Sequence, residues 1–161
     1  MTLNLFLGGG GDSRDSLKLD QRFAATLDLD KPLLYIPIAL DSERHPYPEC
    51  LAWMRDTFEP LGVSKIEMWT EEDLKNKNKE DFENFSGVYI GGGNTFKLLK
   101  EFKEFGTFEI LKAISQKIPI YGGSAGAIIW GSSIRLALDF DENKFDLKDF
   151  SALDLLSGYD F

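Results

Sequence analysis

Residues 120–130 read Ile-Tyr-Gly-Gly-Ser-Ala-Gly-Ala-Ile-Ile-Trp. An apolar β-type run enters a Gly-x-Ser-x-Gly turn, and a small, helix-compatible run leaves it. That order suits a nucleophile elbow, in which a strand stops, one side chain is held on a sharp turn and a helix starts. Gly122 or Gly123, together with Gly126, would leave room for close strand–helix packing. The helix N-terminus would set free backbone N–H groups, Ala125 among them, and partial positive charge beside Ser124. Such a hydroxyl is placed to attack a carbonyl. Its bland alternative is a structural serine in a tight glycine-rich turn, and the flanking β-run and helix favour the nucleophile. A serine of this kind usually passes its proton to histidine, and the chain has a single histidine, His45.

Gly91-Gly92-Gly93-Asn94-Thr95 is the second chemical signal. A glycine run after a strand lets backbone N–H groups approach a substrate closely. One of them, paired with the N–H of Ala125, could hold an oxyanion. The same residues also suit a tight βα turn with Asn94 or Thr95 capping the next helix, and both readings can hold together. Gly8–Gly11 has only a weak likeness to a dinucleotide fingerprint, since Ser13 stands where the third glycine belongs, and no P-loop lysine follows. His45 reads first as a solvated loop residue, and its place after a strand keeps a role as base or substrate contact open. Cys50 carries no motif and reads as a buried helix residue. The acids Asp139, Asp141 and Glu142 cluster after an apolar run, and spacing alone does not single out one of them.

These groups need a scaffold, and the hydrophobic pattern supplies one. Apolar runs at Leu3–Leu7, Leu33–Ile38, Val63–Trp69, Phe85–Ile90 and Ile118–Tyr121 read as strands. Between them lie amphipathic stretches at 14–28, Pro46–Leu61, Thr95–Phe105 and Thr107–Lys117. Residues 71–81 read as a polar surface helix or loop, Ser133–Leu138 as a further strand, and 139–150 as a charged loop. Strands alternating with helices predict an α/β fold, a mostly parallel sheet with helices on both faces. Ligands on such sheets bind at the carboxyl ends of the strands, where Gly8–Gly11, His45, Gly91–Asn94 and Ser124 would all lie.

Composition narrows the partners. The formal net charge of −9 argues against a nucleic acid, which needs clustered Lys and Arg. No apolar run approaches the roughly 20 residues of a membrane span. One cysteine permits no internal disulfide and fits a reducing cytoplasm. The N-terminus lacks the basic n-region of a signal peptide. The pattern calls for no metal and no cofactor.

Val88–Leu99 and Tyr121–Ala127, with their spacing and βα order, resemble the peptidase E, or aspartyl dipeptidase, family of serine peptidases. The resemblance implies a three-layer αβα sandwich of the class I glutamine-amidotransferase type, flavodoxin-like, over a single domain at 1–161. It places Ser124 on the family's nucleophile and Asp139, fifteen positions later, on the acidic member of the charge relay. Gly92 and Ala125 fall near the oxyanion-hole amides, with Gly93 and Asn94 as neighbouring substrate contacts. The implied substrates are small peptides with an N-terminal aspartate. Phe150–Leu156 matches the stretch that leads to the family's histidine, which would come shortly after Phe161, so the chain reads as ending before the catalytic base. The expectation is an impaired peptidase, with a catalytically silent binding protein or remnant of the same fold as the alternative. Exposed apolar surface is expected to show as low solubility, a marginal melting temperature or a homodimer that covers the gap.

Overall fold

A computed structural model of the chain describes residues 3–156. Its centre is a five-stranded sheet in the order β1-β5-β4-β2-β3. The strands are β1 (Leu5–Gly8), β2 (Leu33–Ile36), β3 (Ile66–Met68), β4 (Gly87–Ile90) and β5 (Ile120–Gly123). Every pairing is parallel. β2, β4 and β5 are buried along their whole length, which is why their sequences read as continuous apolar runs rather than alternating ones.

Alternation appears instead in which core each side chain enters. Leu34, Ile36, Val88, Ile90 and Ile120 join one cluster. Leu33, Tyr35, Tyr89 and Tyr121 join the other. Successive strand side chains point to opposite faces, so the two clusters are the two sides of the sheet. Helices α1 (Leu17–Ala24) and α2 (Tyr47–Phe58) cover the tyrosine-rich side through Phe23, Met54 and Phe58. The other side is covered by α5 (Thr95–Glu104) and α6 (Thr107–Ile114), with Phe96, Phe102, Leu111 and Ile114 in its core. The parallel sheet with helices on both faces expected from the pattern, and the αβα sandwich implied by the resemblance, is the observed architecture.

Some local expectations change. Residues 71–81 form two single turns of helix, α3 (Glu71–Leu74) and α4 (Lys79–Phe82), each opened by a capping box on Thr70 or Asn78. Leu74 and Phe82 anchor them in the core. Ser133–Leu138 is not a strand. Ser133 makes one antiparallel bridge to Ser151, and Arg135–Asp139 winds into a 3-10 turn. Among the described residues, no strand of the sheet pairs with this segment. The apolar Leu136, Leu138 and Phe140 are consequently exposed. Cys50 is buried in α2, as expected. Among the described residues, no helix is long and apolar enough to cross a membrane.

Candidate active site

β5 ends at Gly123, and the chain reverses at Ser124 into α7 (Ala125–Ile128). Ser124 has φ 50° and ψ −110°, a region that L-residues rarely occupy and that stores roughly 1–3 kcal/mol of strain. Two constraints enforce it. Its own N–H donates to the carbonyl of Gly8 on the tip of β1 at 2.8 Å. Its carbonyl accepts from Ala127 (2.8 Å) and Ile128 (3.0 Å), closing the first turn of α7.

The glycines of the motif let this turn sit on the sheet. A Cβ at Gly122 would come within 2.1 Å of the Gly126 carbonyl oxygen, and one at Gly126 within 2.3 Å of that of Ile90. Backbone lies against backbone at both positions, so no side chain fits. Gly123 is less constrained, with Tyr89 Oη at 3.4 Å as its nearest neighbour. The serine on this bend remains half-buried while its neighbours Gly123 and Ala125 are buried. α7 is a single turn, so its macrodipole is small, and any anion held here depends on individual N–H groups.

The Gly91–Thr95 segment supplies such groups on the neighbouring strand tip. A Cβ on Gly92 would lie 3.0 Å from Ser124 Cβ and 3.7 Å from its Oγ. Gly91 N–H is taken by Ile36 O and Asn94 N–H by Ala39 O. Among the described residues, the N–H groups of Gly92, Gly93 and Ala125 have no protein acceptor. Asn94 caps α5, its Oδ1 accepting from Lys97 N–H at 2.9 Å. Its Nδ2 donates to Glu142 O at 2.9 Å. The side chain of Asn94 is thus committed to structure, while the glycines before it offer unpaired donors.

Ser124 faces a cleft of about 430 Å³, lined by Leu7 and Gly8 from β1, Gly9 just past its end, Ala127 and Ile128 from α7, Thr95, and Ala137, Phe140 and Asp141. Of the three clustered acids, Asp141 enters this cleft. Asp139 ends the 3-10 turn with its side chain exposed, and Glu142 contributes its backbone carbonyl to Asn94. No spacing rule could have chosen among them, because the 3-10 turn decides which one turns inward.

His45 is exposed and lies in a different place, a cleft of about 630 Å³ lined by Gly93 and Asn94 themselves together with Ala39–Arg44, Glu71, Lys97 and Lys144. The lining of the Ser124 cleft contains no imidazole. Sequence reasoning missed the ion-pair network on this side. Lys97 Nζ donates to Glu71 Oε1 at 2.8 Å and to Leu40 O at 2.9 Å, and the Tyr47 hydroxyl donates to Glu71 Oε2 at 2.5 Å. Burial alone would raise the Glu71 carboxyl, but the hydrogen bonds from Lys97 and Tyr47 prevail and hold it below its ordinary value. Glu101, near the same network, is pushed up to about 7, by burial foremost; Lys97 opposes the rise and Glu71 adds to it. Among the described residues, no three His, Cys, Asp or Glu side chains gather as a metal site.

A parallel αβα sandwich with a strained serine on its strand–helix bend defines the class of elbow-bearing α/β proteins. Within that class the model of peptidase family S51 matches residues 5–160, and the chain belongs to that family. It is 31% identical over 137 residues to the uncharacterised peptidase YgaJ of Bacillus subtilis, covering 77% of this chain and 54% of that protein. It is 27% identical over 111 residues to a probable alpha-aspartyl dipeptidase of Drosophila melanogaster, covering 68% and 43%. The chain therefore spans about half the length of these two relatives. A 1.5 Å crystal structure of a candidate peptidase E from Listeria monocytogenes superposes with a TM-score of 0.77 at 26% identity, covering 98% of this chain and 77% of that one.

Proposed function

We propose that the chain carries the nucleophile half of a serine peptidase acting on small peptides, with Ser124 as the attacking group. The observation that carries this reading is the strained backbone of Ser124, held by Gly8 and by α7 at the edge of a cleft. Strain at a single exposed-edge hydroxyl is characteristic of functional positions. The unpaired N–H groups of Gly92 and Ala125 flank it and support an oxyanion hole, with Gly93 as a further donor. Attack by Ser124 Oγ on a peptide carbonyl, its proton passing through cleft water to the departing nitrogen, would place the developing negative oxygen toward these amides. The C–N bond would then break to release the amine, and a second water would hydrolyse the acyl-enzyme, returning a proton to Ser124.

Asp139 is proposed as the acidic member of the relay on its offset from Ser124 and on membership of the family alone; its side chain is exposed on the 3-10 turn, and Asp141 is the acid that lines the cleft. N-terminal aspartyl peptides are the substrate class favoured by membership of the family and by the name of the Drosophila relative. The single histidine lies in the neighbouring cleft. A homodimer over the exposed Leu136, Leu138 and Phe140 belongs to the same reading, and sedimentation velocity checks it.

A fluorophosphonate probe tests the nucleophile. The expected result is one slow, stoichiometric adduct mapping to Ser124 and absent from Ser124→Ala. Folded protein with no adduct after prolonged exposure would leave a silent binding module as the better account.

A further inference from the structure

The Ser124 cleft has one charged side chain in its lining, Asp141; the remaining side chains there are apolar or small, with the hydroxyls of Ser124 and Thr95 as the other polar groups. Asp141 is held rigidly. Its N–H donates to Ala137 O at 2.8 Å, and its Oδ2 accepts from Thr95 N–H at 2.7 Å. The next residue is tied to the same turn through the Asn94–Glu142 hydrogen bond. Among the described residues no cation pairs with Asp141, and its Oδ1 has no protein donor. A fixed carboxylate with an open oxygen, in a largely apolar cleft shared with a nucleophile, is an acceptor waiting for a cationic donor. The cleft volume of about 430 Å³ falls within the range of roughly 300–1,000 Å³ typical of small-molecule sites.

From this geometry we infer that Asp141 is the subsite for an alkylammonium group, the free N-terminus of a short peptide whose first carbonyl lies at Ser124. This rests on the peptidase reading of the same cleft and adds what that reading lacks, a group that selects unblocked N-termini. The contact is a charge-assisted hydrogen bond from R–NH₃⁺ to Asp141 Oδ1. No bond is made or broken at this position. Thr95 N–H keeps the carboxylate oriented, so little ordering cost attends binding. Acetylating the peptide would remove the cation and leave the carboxylate desolvated without a partner.

Calorimetric titration tests the assignment in a Ser124→Ala background, which cannot turn the ligand over. Three neutral-capped ligands are compared: Ala-Ala amide, its N-acetyl form, and N-acetyl-Lys-Ala amide, whose ammonium is on the side chain. The free-amine ligand is expected to bind roughly 10- to 100-fold more tightly than its acetylated form. That gap should close in Ser124→Ala/Asp141→Asn, where the amide can still accept from Thr95 and preserve the turn. Equal affinity for free and acetylated Ala-Ala amide overturns the proposal, and needs no Asp141 variant to show it. Affinity of the lysyl ligand that matches the free-amine ligand and depends on Asp141 overturns the N-terminal assignment in favour of a side-chain cation. A neutral fluorophosphonate, applied in parallel to the protein with Ser124 intact, separates the two readings. Ser124 labelling without amine preference sinks the subsite alone, and amine preference without labelling sinks the nucleophile alone.

Discussion

Two clefts lie at the carboxyl edge of one sheet, and they are built on opposite principles. The Ser124 cleft has a strained backbone at the serine, one fixed carboxylate in its lining, and the unpaired N–H groups of Gly92 and Ala125 beside the serine. The His45 cleft is larger and holds Asp41, Glu43, Arg44, Glu71, Lys97 and Lys144 around the histidine. In the first, polar groups are left unsatisfied toward the opening. In the second, they neutralise each other: Lys97 is spent on Glu71 and Leu40, and Glu71 on Lys97 and Tyr47. The difference teaches that the count of ionisable groups is a poor guide to chemistry. Unpaired donors and stored strain mark the edge proposed to be reactive, while a dense charge network marks a joint between α2, α3 and α5.

The largest effects should come from breaking the elbow. Ala at Gly122 or Gly126 would drive Cβ into backbone. The loss of stability should reach or exceed the roughly 1–3 kcal/mol of ordinary overpacking, read as a drop in the urea midpoint. Gly92→Ala meets Ser124 Cβ at the tighter limit of contact. The variant keeps the Gly92 N–H but crowds the serine, and should slow probe labelling by about 10-fold or more through misplacement of Ser124, with a far smaller change in melting temperature. Ser124→Gly sharpens the contrast further. It should abolish labelling yet raise stability by about 1 kcal/mol over Ser124→Ala, because glycine tolerates φ 50° without strain. Equal stability of the two variants would mean the bend stores no strain.

The charge network should respond to pH rather than to probes. Glu101 has its folded pKa raised to about 7, so the folded state binds a proton the unfolded state has lost. Stability from this group is present below the ordinary glutamate range and is lost as pH rises toward about 7. Glu71 is held low, so its contribution is present above the ordinary range and is lost as pH falls through its folded value. Glu101→Gln should flatten the fall toward neutrality, and Glu71→Gln should flatten the acid limb. Each is the smallest effect expected here, a shift of a few degrees or less in a melting-temperature series across pH. Neither should change labelling of Ser124.

Much of this was legible in the residues, for reasons that can be named. The runs at 33–36, 87–90 and 118–121 are unbroken because central parallel strands are buried on both faces. Gly122-x-Ser-x-Gly126 was readable because its glycines answer a backbone contact that no other residue tolerates. The capping role of Asn94 was one of two open possibilities, and it coexists with the free glycine amides. What failed was local geometry settled by tertiary position. An apolar stretch at 133–138 looks like a strand, but apart from one bridge to Ser151 it pairs with no described strand and winds into a 3-10 turn. That same turn decides that Asp141, rather than Asp139 or Glu142, is the acid that lines the Ser124 cleft. The Tyr47–Glu71–Lys97 network joins residues far apart in the chain, and no periodicity connects them.

A crystal structure of the phosphonylated protein would test the central claim most directly. The account predicts phosphorus bonded to Ser124 Oγ, with the phosphonyl oxygen about 2.7–3.1 Å from the N–H of Gly92 or Ala125. An adduct on another residue, or a phosphonyl oxygen turned to solvent away from both amides, would contradict it.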